Sequence, residues 1–264
     1  MDKLQKEVLI IIPAYNEEKN IEDLLIKLEQ PEISDIADVL VINDASKDST
    51  AAIVRRRNHR VITNVFNLGY GSGLQVGYKF ALRKGYKYVI QMDADGQHDV
   101  SNVRVLYEGL TTPDADGKCP DIVLGSRFVE GSISFEVSAM KKIAFVLFRN
   151  LIKMGAGQKV MDPTTGLQGI NRHAFGFYSG YGHFDDKYPD ANMIMQMLLL
   201  GFKVREVPAV MYARTEGVSM HSGLKPIKYM FRMMISIIAV WIRVRLFKAD
   251  TGALKFNEDM ESVM

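Results

Sequence analysis

One cysteine, Cys119, is present among the 264 residues, so the chain can form no internal disulfide and no thiolate cage for a metal. This scarcity suits a reducing, cytoplasmic setting. The five histidines are scattered, and no two of them have the i, i+4 spacing of a zinc site on a helix. A Gly-x-Ser-x-Gly elbow is also missing, which leaves a serine hydrolase without support. Basic residues exceed acidic ones by only two, a balance that gives no indication of a nucleic-acid partner.

Long apolar runs are missing too. No stretch reaches the roughly 18 apolar residues that a transmembrane helix needs, and the longest uncharged run near the C-terminus, Met233–Ile242, has ten residues. The apolar run near the N-terminus is short and is followed by acidic residues, with no small-residue cleavage site. We therefore expect neither a signal peptide nor a membrane-spanning helix.

The sequence does contain a regular alternation of short apolar runs with helical patterns. The predicted strands are residues 7–15, 38–44, 60–66, 87–93 and 121–127. The predicted helices are residues 20–30, 48–57, 71–85, 100–110 and 138–154. Later segments are a turn-rich stretch at 160–175, then a helix, a break at Gly201 and one or two strands within 190–214. Strands that alternate with helices predict an α/β fold with a mostly parallel sheet covered on both faces.

The stretch VIQMDADGQHD, residues 89–99, ends a predicted strand in a cluster of polar side chains. In a parallel sheet, ligands bind beyond the carboxyl ends of the strands. Asp93 and Asp95 are two residues apart, so on an extended chain their carboxylates point to the same side. Together they could share a hard cation such as Mg²⁺, with Gln97 adding an amide oxygen. The alternative is a solvated acidic turn in which Asp99 caps the following helix.

The glycine-rich stretch GYGSG, residues 69–73, does not fit a dinucleotide-binding fingerprint. The third glycine of that fingerprint would fall at Leu74, and the stretch follows the third predicted strand instead of the first. We expect a helix start at which another backbone approaches closely. A helix N-terminus that lines a phosphate site is the alternative.

Seven motifs in one order carry a resemblance to a known family. They are IIPAYNEEKNI (11–21), VINDASKDST (41–50), NLGYGSGLQVGY (67–78), MDADGQHD (92–99), GSRF (125–128), DPTTGL (162–167) and RTEGVSMH (214–221). With them the chain resembles the family 2 glycosyltransferases over about residues 8–221, and most of all their dolichol-phosphate mannose synthase branch. The resemblance implies a GT-A fold, a mixed and mostly parallel sheet flanked by helices, and a nucleotide-sugar donor.

The resemblance also implies roles for individual residues. Those expected to bind the nucleotide sugar are Pro13, Tyr15, Glu17, Asp44, Asn67, Gly69, Gly71 and Asp93, with Asp44 on the base or ribose. Asp93, Asp95 and Gln97 would hold Mg²⁺ or Mn²⁺ against the diphosphate. The residues expected at anionic oxygens of donor and acceptor are Arg127, Arg214 and Ser219, with Lys141 as a further acceptor candidate. Asp93, Asp95, Arg127 and Arg214 would be the catalytic set; an ordinary salt bridge is the alternative for the two arginines.

Two departures from the family pattern leave the donor open between UDP- and GDP-linked hexoses. Asn43 precedes Asp44 where two acids are common, and Tyr70 stands where a small or basic residue is frequent. The role of His98 is also open between contacting a substrate phosphate and filling the turn.

Three functions follow from the resemblance. The first is an inverting, metal-dependent transfer of a hexose to a polyprenyl phosphate for cell-surface glycan synthesis, which needs no strong base because a phosphate monoester is already anionic. The second uses a saccharide hydroxyl, for which Asp162 or Asp190 could be the base. The third is a non-catalytic nucleotide-sugar-binding module.

The C-terminal segment predicts an amphipathic helix at the membrane interface. Six basic and no acidic residues lie between Lys225 and Lys248. At steps of three and four, four of these basic residues and two small residues form one stripe: Lys225, Lys228, Arg232, Ser236, Ala239 and Arg243. The remaining residues are mostly apolar, which suits anionic headgroups and the membrane interface. A helix packed in a core or a dimer seam is the alternative.

We therefore expect a glycosyltransferase domain at 1–222 and an appended helix with a polar tail at 223–264. The protein would lie peripherally on the cytoplasmic face of the membrane. It could dock on a separate small membrane protein, and it could form a homo-oligomer.

Overall fold

The computed structural model describes residues 6–137, 139–213 and 225–250, and within these ranges seven strands form one sheet. The strands are β1 (Val8–Ala14), β2 (Ala37–Asn43), β3 (Arg60–Thr63), β4 (Tyr88–Gln91), β5 (Ile122–Ser126), β6 (Gln168–Asn171) and β7 (Val204–Pro208). Their order across the sheet is β3-β2-β1-β4-β6-β5-β7. Only β6 runs against its neighbours, since β4 and β5 each pair with it in antiparallel fashion. The expected mostly parallel sheet is confirmed.

Helices cover both faces of this sheet. They are α1 (Ile21–Leu28), α2 (Pro31–Ser34), α3 (Thr50–Arg56), α4 (Tyr70–Lys84), α5 (Asn102–Thr111), α6 (Ala139–Ala156), α7 (Arg172–Tyr178), α8 (Ala191–Leu199) and α9 (Lys225–Arg245). Glycines with positive φ end two of them, Gly85 (φ 79°) after α4 and Gly201 (φ 92°) just after α8. The predicted end at Gly85 and the predicted break at Gly201 are therefore confirmed.

The core lies in two layers, one on each face of the sheet. Strand β1 shows why: Leu9 and Ile11 point into one layer, while Val8, Ile10 and Ile12 point into the other. The first layer is completed by α4, α6, α7, α8 and α9. The second is completed by α1, α2, α3 and α5. The buried apolar strands thus fix the sheet between two helical layers.

Strand β6 and the first turn of helix α7 lie in the segment 160–175, for which the sequence predicts only turns. The strand has four residues and includes Gln168 and Gly169, so it has no apolar run to reveal it. Gly169 is small for a packing reason, because a Cβ there would lie 3.0 Å from Cδ1 of Leu110 on α5. Pairing with β4 and β5 stabilises this strand, and such partners cannot be read from local sequence.

The cap of α5 differs from the prediction. The helix begins at Asn102 with Ser101 as the N-cap residue. Asp99 instead accepts a hydrogen bond from the Ser101 amide at 2.9 Å, in the turn before the helix. This arrangement is an Asx turn, which a sequence pattern does not separate from a cap.

Helix α9 packs on α6 and α8 by one side only. Met233, Ile237, Val240 and Val244 are buried on that side. On the other side an exposed apolar stripe, here called the outer face of α9, consists of Ile227, Phe231, Ile235, Ile238, Ile242 and Leu246. The described helices include none long and apolar enough to cross a membrane.

The predicted basic stripe of α9 does not form one exposed edge. Ser236 accepts a hydrogen bond from the Asn192 side chain at 3.0 Å, and Arg243 Nη1 donates to the Gly182 carbonyl at 3.4 Å. These two positions therefore face the body of the protein. Lys228 and Arg232 are exposed beside the outer face of α9.

Candidate active site

The loops after β1 and β2 are joined at the carboxyl edge of the sheet. Asn16, with φ 56°, donates its amide to Ser46 Oγ at 2.9 Å, and its own side chain accepts from the Lys47 amide at 2.9 Å. The Glu17 amide donates to Thr50 Oγ1 at 2.9 Å. Of the predicted nucleotide residues here, Tyr15 is exposed, whereas Pro13 and Glu17 are half-buried.

Asp44 holds the loop that follows β3. Its carboxylate accepts hydrogen bonds from the Asn64 side chain at 2.8 Å and from the Leu68 and Gly69 amides at 2.9 Å each. Asn67 adds a bond from its side chain to the Asp44 carbonyl at 3.4 Å. This loop geometry explains why β3 ends at Thr63, earlier than predicted. A contact of Asp44 with a base or ribose stays a prediction.

The first two glycines of GYGSG, Gly69 and Gly71, allow a close backbone contact where α4 begins. Gly69 has φ 95°, a conformation that favours glycine. A Cβ at Gly71 would overlap the carbonyl oxygen of Asp185, and the Ser72 amide donates to the Asp186 carbonyl at 3.0 Å. The backbone that approaches this helix is therefore the chain's own loop at 185–186.

Asp93, Asp95 and Gln97 follow β4 at the same edge. The Tyr70 hydroxyl donates to Asp93 Oδ1 at 2.8 Å, and burial, followed by the charge of Asp93, holds the pKa of Tyr70 well above its usual value. Asp95 Oδ1 accepts from the Gln97 amide at 3.1 Å. Gln97 Nε2 donates to the Tyr212 carbonyl at 3.2 Å, which leaves Oε1 as the acceptor atom of this amide.

These three residues fit a hard cation that is shared with a substrate. In the part of the chain that the structure describes, no three His, Cys, Asp or Glu side chains come together in a way that could hold a metal by themselves. The donor set is two carboxylates and an amide oxygen on one turn. Mg²⁺ and similar ions commonly use one or two carboxylates and take their other ligands from water and substrate phosphates.

His98 lies beneath this turn and is 7% exposed. Its Nδ1 accepts from the Asp93 amide at 3.2 Å, so it holds the backbone of the turn. Burial lowers the pKa of His98 to about 4. Of the two roles left open by the sequence, the structure places this imidazole in the turn-filling one.

Arg127 follows β5 and is fixed by a buried ion pair. Its Nε donates to Asp162 Oδ2 at 2.7 Å and its Nη2 to Asp162 Oδ1 at 2.6 Å, while Thr164 Oγ1 accepts from Nη2 at 3.2 Å. Glu206 on β7 accepts the amides of Met161 and Asp162 at 2.7 and 2.8 Å, which fixes the turn that carries Asp162. Asp162 is fully buried in this pairing, which removes it as a candidate base.

A cavity of about 150 Å³ opens beside Arg127. Its polar lining is Arg127, Lys141, Thr164, Asp190 and Tyr229, and its apolar lining is Met140, Ala144, Phe145, Phe148 and Met230. The apolar side chains come from α6 and α9. Burial, then the charge of Arg127, lowers the pKa of Lys141. The Tyr229 hydroxyl donates to Asp190 Oδ2 at 2.6 Å, and burial raises the pKa of Asp190 to about 6.

The sequence did not predict three parts of this site. The pairing of Asp162 with Arg127 joins two separate motifs, and no local pattern connects them. Tyr229 reaches the cavity from α9, a helix that the sequence assigns to a membrane surface. Tyr70 stood out only as a departure from the family pattern. Arg214 and Ser219, both predicted at the site, lie outside the described residues.

Comparison with protein families gives one match that covers most of the chain. The family model described as Glycosyl transferase family 2 matches residues 9–176. An undecaprenyl-phosphate mannosyltransferase of Micrococcus luteus is 31% identical over 82% of this chain and 88% of its own. A polyprenol monophosphomannose synthase of Mycolicibacterium smegmatis is 28% identical over 92% of this chain and 90% of its own.

Solved structures show the same fold. A glucosyl-3-phosphoglycerate synthase of Mycobacterium tuberculosis, in complex with Mn²⁺, UDP-glucose and phosphoglyceric acid, matches with a TM-score of 0.62 and 17% identity over 89% of this chain and 80% of its own. A mannosyl-3-phosphoglycerate synthase of Rubrobacter xylanophilus matches with a TM-score of 0.63 and 16% identity over 92% and 75%. The sheet and its flanking helices are those of the GT-A fold.

Proposed function

Because the chain belongs to glycosyl transferase family 2, we propose that it transfers a hexose, with inversion, from a UDP- or GDP-linked sugar to a polyprenyl phosphate in cell-surface glycan synthesis. Membership of the family makes the chain a glycosyltransferase, which sets aside the non-catalytic binding module. The named activities of the relatives in Micrococcus luteus and Mycolicibacterium smegmatis support a polyprenyl acceptor.

The observation that carries the proposal is the composition of the cavity beside Arg127. One part of its lining offers the cations of Arg127 and Lys141, and another offers Met140, Phe145 and Met230. A phosphate joined to a hydrocarbon chain has this same division of charge and apolar surface. Free sugars lack such a tail, so they would gain little from the apolar lining.

On the donor side, the chain supplies a carboxylate pair and fixed hydrogen-bond partners. Asp93 and Asp95 would hold Mg²⁺ or Mn²⁺, with Gln97 alongside, and such a cation neutralises the charge that develops on a leaving diphosphate. The loops that carry Tyr15 and Asp44 border the same edge and suit the nucleoside. Arg214 and Ser219 are proposed, on motif match alone, to bind anionic oxygens.

On the acceptor side, Arg127 is ready before the substrate arrives. The ion pair with Asp162 holds its guanidinium in one orientation, so little side-chain entropy is lost when a phosphate binds. The phosphate oxygen is largely anionic at neutral pH, because the second pKa of a monoester is about 6. Attack on the anomeric carbon then requires no proton acceptor from the chain.

One observation favours the second candidate, a saccharide hydroxyl acceptor. Asp190 lines the cavity, and its pKa of about 6 leaves it mostly ionised at neutral pH and basic enough to take a proton. The polyprenyl proposal accounts for the apolar lining, which a saccharide does not, and we therefore place it first.

The outer face of α9 supports a peripheral membrane location. It places six apolar side chains in solvent next to exposed Lys228 and Arg232, and α6 adds exposed Ile143 and Val146. Apolar residues with a basic border suit anionic lipid at the cytoplasmic face. Met140 of α6 and Met230 of α9 line the cavity, so a lipid acceptor could enter from this side. A small membrane partner or a second copy of the chain are the other possible occupants of this face.

The test is a transfer assay with purified protein, Mn²⁺, labelled UDP- or GDP-sugars and either undecaprenyl phosphate or oligosaccharides. We expect labelled lipid with one of the donors. Labelled oligosaccharide and no labelled lipid would replace the proposal with the second candidate.

Two neighbouring lysines of α6 give a matched pair of variants for this assay. Lys141→Met removes a cation from the cavity and should raise KM for undecaprenyl phosphate about tenfold, the effect expected for one charge-assisted phosphate contact. Lys142→Met makes the same change at an exposed position outside the cavity lining and should leave KM unchanged. Equal KM values for the two variants would remove the cavity as the acceptor site.

A further inference from the structure

Tyr70, the first residue of α4, reaches the carboxylate pair from a different part of the chain. Its hydroxyl donates to Asp93 Oδ1 at 2.8 Å. None of the roles assigned above to the donor edge involves this hydroxyl. The contact links the glycine-rich helix start directly to the Asp-x-Asp turn.

The direction of this hydrogen bond is set by Gln91 at the end of β4. The Tyr78 hydroxyl donates to Gln91 Oε1 at 2.5 Å, and Gln91 Nε2 donates to the Gly166 carbonyl at 2.9 Å and to the Tyr70 oxygen at 3.3 Å. Because the Tyr70 oxygen accepts from Gln91, its one proton is directed at Asp93. A hydroxyl has only one proton, so Tyr70 cannot donate a second hydrogen bond elsewhere.

Gly166, the last residue of the DPTTG turn, leaves room for the hydrogen bond between Tyr70 and Asp93 because it has no side chain. A Cβ at Gly166 would lie 2.9 Å from Asp93 Oδ2 and 3.2 Å from the Tyr70 hydroxyl oxygen. Both distances are closer than ordinary contacts of a methyl group. Three separate segments, carrying Tyr70, Asp93 and Gly166, therefore meet at one point of the site.

We propose that Tyr70 is a positioning residue that orients Asp93 for a divalent cation while leaving both negative charges of the Asp93–Asp95 pair intact. This inference rests on the metal-dependent function proposed above. A basic side chain in place of Tyr70 would form an ion pair with Asp93 and cancel one of the two charges that attract the cation. A side chain without a hydroxyl would leave Asp93 without this hydrogen bond. A neutral donor orients the carboxylate without either loss.

The test measures Mn²⁺ binding directly, with free Mn²⁺ counted by EPR in solutions of the purified protein with UDP or GDP and without acceptor, and corrected for the Mn²⁺ that the nucleotide binds alone. Tyr70→Phe should raise Kd for Mn²⁺ about tenfold, the lower end of the range for loss of a residue that orients a metal ligand. Tyr70→Lys should raise it further, because it also cancels charge.

The chain contains a matched control at the other end of the sheet. The Tyr86 hydroxyl donates to Asp38 Oδ2 at 2.8 Å, the same length as the Tyr70–Asp93 bond. Tyr86→Phe therefore removes an equivalent bond far from the carboxylate pair, and its Kd for Mn²⁺ should equal that of the unmodified protein. Thermal unfolding of each variant checks that it is folded.

The outcomes separate the two proposals. A Tyr70→Phe protein that is folded and binds Mn²⁺ as tightly as the unmodified protein would overturn the role of Tyr70 and leave the proposed function standing. Unmodified protein that binds no Mn²⁺ in the presence of either nucleotide but transfers sugar in EDTA would overturn both the role of Tyr70 and the metal dependence, and would keep the transferase.

Discussion

At the scale of single residues, the candidate site contains a buried ion pair between Arg127 and Asp162. The side chain of Arg127 is 12% exposed and that of Asp162 is not exposed at all. Two bonds of 2.6 and 2.7 Å join them. Taking one charge away from such a pair is costly, because the other remains in a low-dielectric environment without compensation.

The first residue-scale prediction concerns this pair. Asp162→Asn should lower the free energy of unfolding by about 3 kcal/mol, since it leaves the Arg127 guanidinium buried without a counter-charge. Urea unfolding followed by circular dichroism measures the change. Asp116→Asn is the control: it breaks an exposed pair with Lys203 and should have no measurable effect. Equal stability of the two variants would contradict the account of the buried pair.

The motifs nominated residues for the candidate site but did not predict how those residues are fixed. Asp93, Asp95, Arg127 and Lys141 could be nominated because charged side chains follow strands or match family motifs. Their partners could not: Arg127 and Asp162 are 35 positions apart, and Tyr70 and Asp93 are 23 apart. Long-range contacts of this kind depend on how the sheet brings loops together, and local sequence patterns do not predict that arrangement.

At the scale of elements, α9 belongs to the body of the protein and also presents an apolar surface. Its buried side completes one core layer, and its Tyr229 reaches Asp190 in the cavity. The interpretation as a packed helix thus describes the buried side, and an interfacial role for the exposed side stays a prediction. The basic stripe is exposed at Lys228 and Arg232 but half-buried at Ser236 and Arg243, because periodicity shows which residues share a side and not which side meets the core. The antiparallel β6 was missed for a related reason, since its four residues depend on their neighbours in the sheet.

The element-scale prediction concerns the outer face of α9. Replacing both Ile235 and Ile238, which are 50% and 43% exposed, by Glu should release the protein from anionic phospholipid vesicles, because it adds two negative charges to the apolar contact. Vesicle sedimentation measures binding. Ile26→Glu, at a 39% exposed isoleucine of α1, is the control and should bind like the unmodified protein.

Two outcomes would count against a membrane role for this face. Undiminished sedimentation of the doubly substituted protein would exclude the face as the lipid contact. The second outcome is that the unmodified protein does not bind vesicles but forms dimers, and that the two substitutions dissociate these dimers. This result would assign the face to an interface between two copies of the chain.

At the scale of the whole molecule, one edge of the sheet collects the chemistry of both proposed substrates. The turns after β1, β2 and β4 border the proposed donor side, and the turn after β5 with α6 and α9 borders the proposed acceptor side. Strand alternation was enough to predict this edge, because parallel strands place their carboxyl ends together. Strand alternation could not predict whether the nucleotide is UDP or GDP. That choice depends on the shape of the loop after β3, which is held by hydrogen bonds from the Leu68 and Gly69 amides to Asp44.

Ligand-linked unfolding of the whole chain can decide between the two nucleotides. A ligand that binds only the folded state at 100 times its Kd adds about 2.7 kcal/mol of stability, and for a domain of this size each kcal/mol raises Tm by about 2–4 °C. We therefore expect UDP or GDP, with Mn²⁺ present, to raise Tm by about 5–10 °C, and the other nucleotide to raise it much less. Asp95→Ala should abolish the rise, because the cation would lose a carboxylate ligand. A rise of equal size in Asp95→Ala, or with the nucleotide in EDTA, would show that the diphosphate is held by the protein without a cation at Asp95.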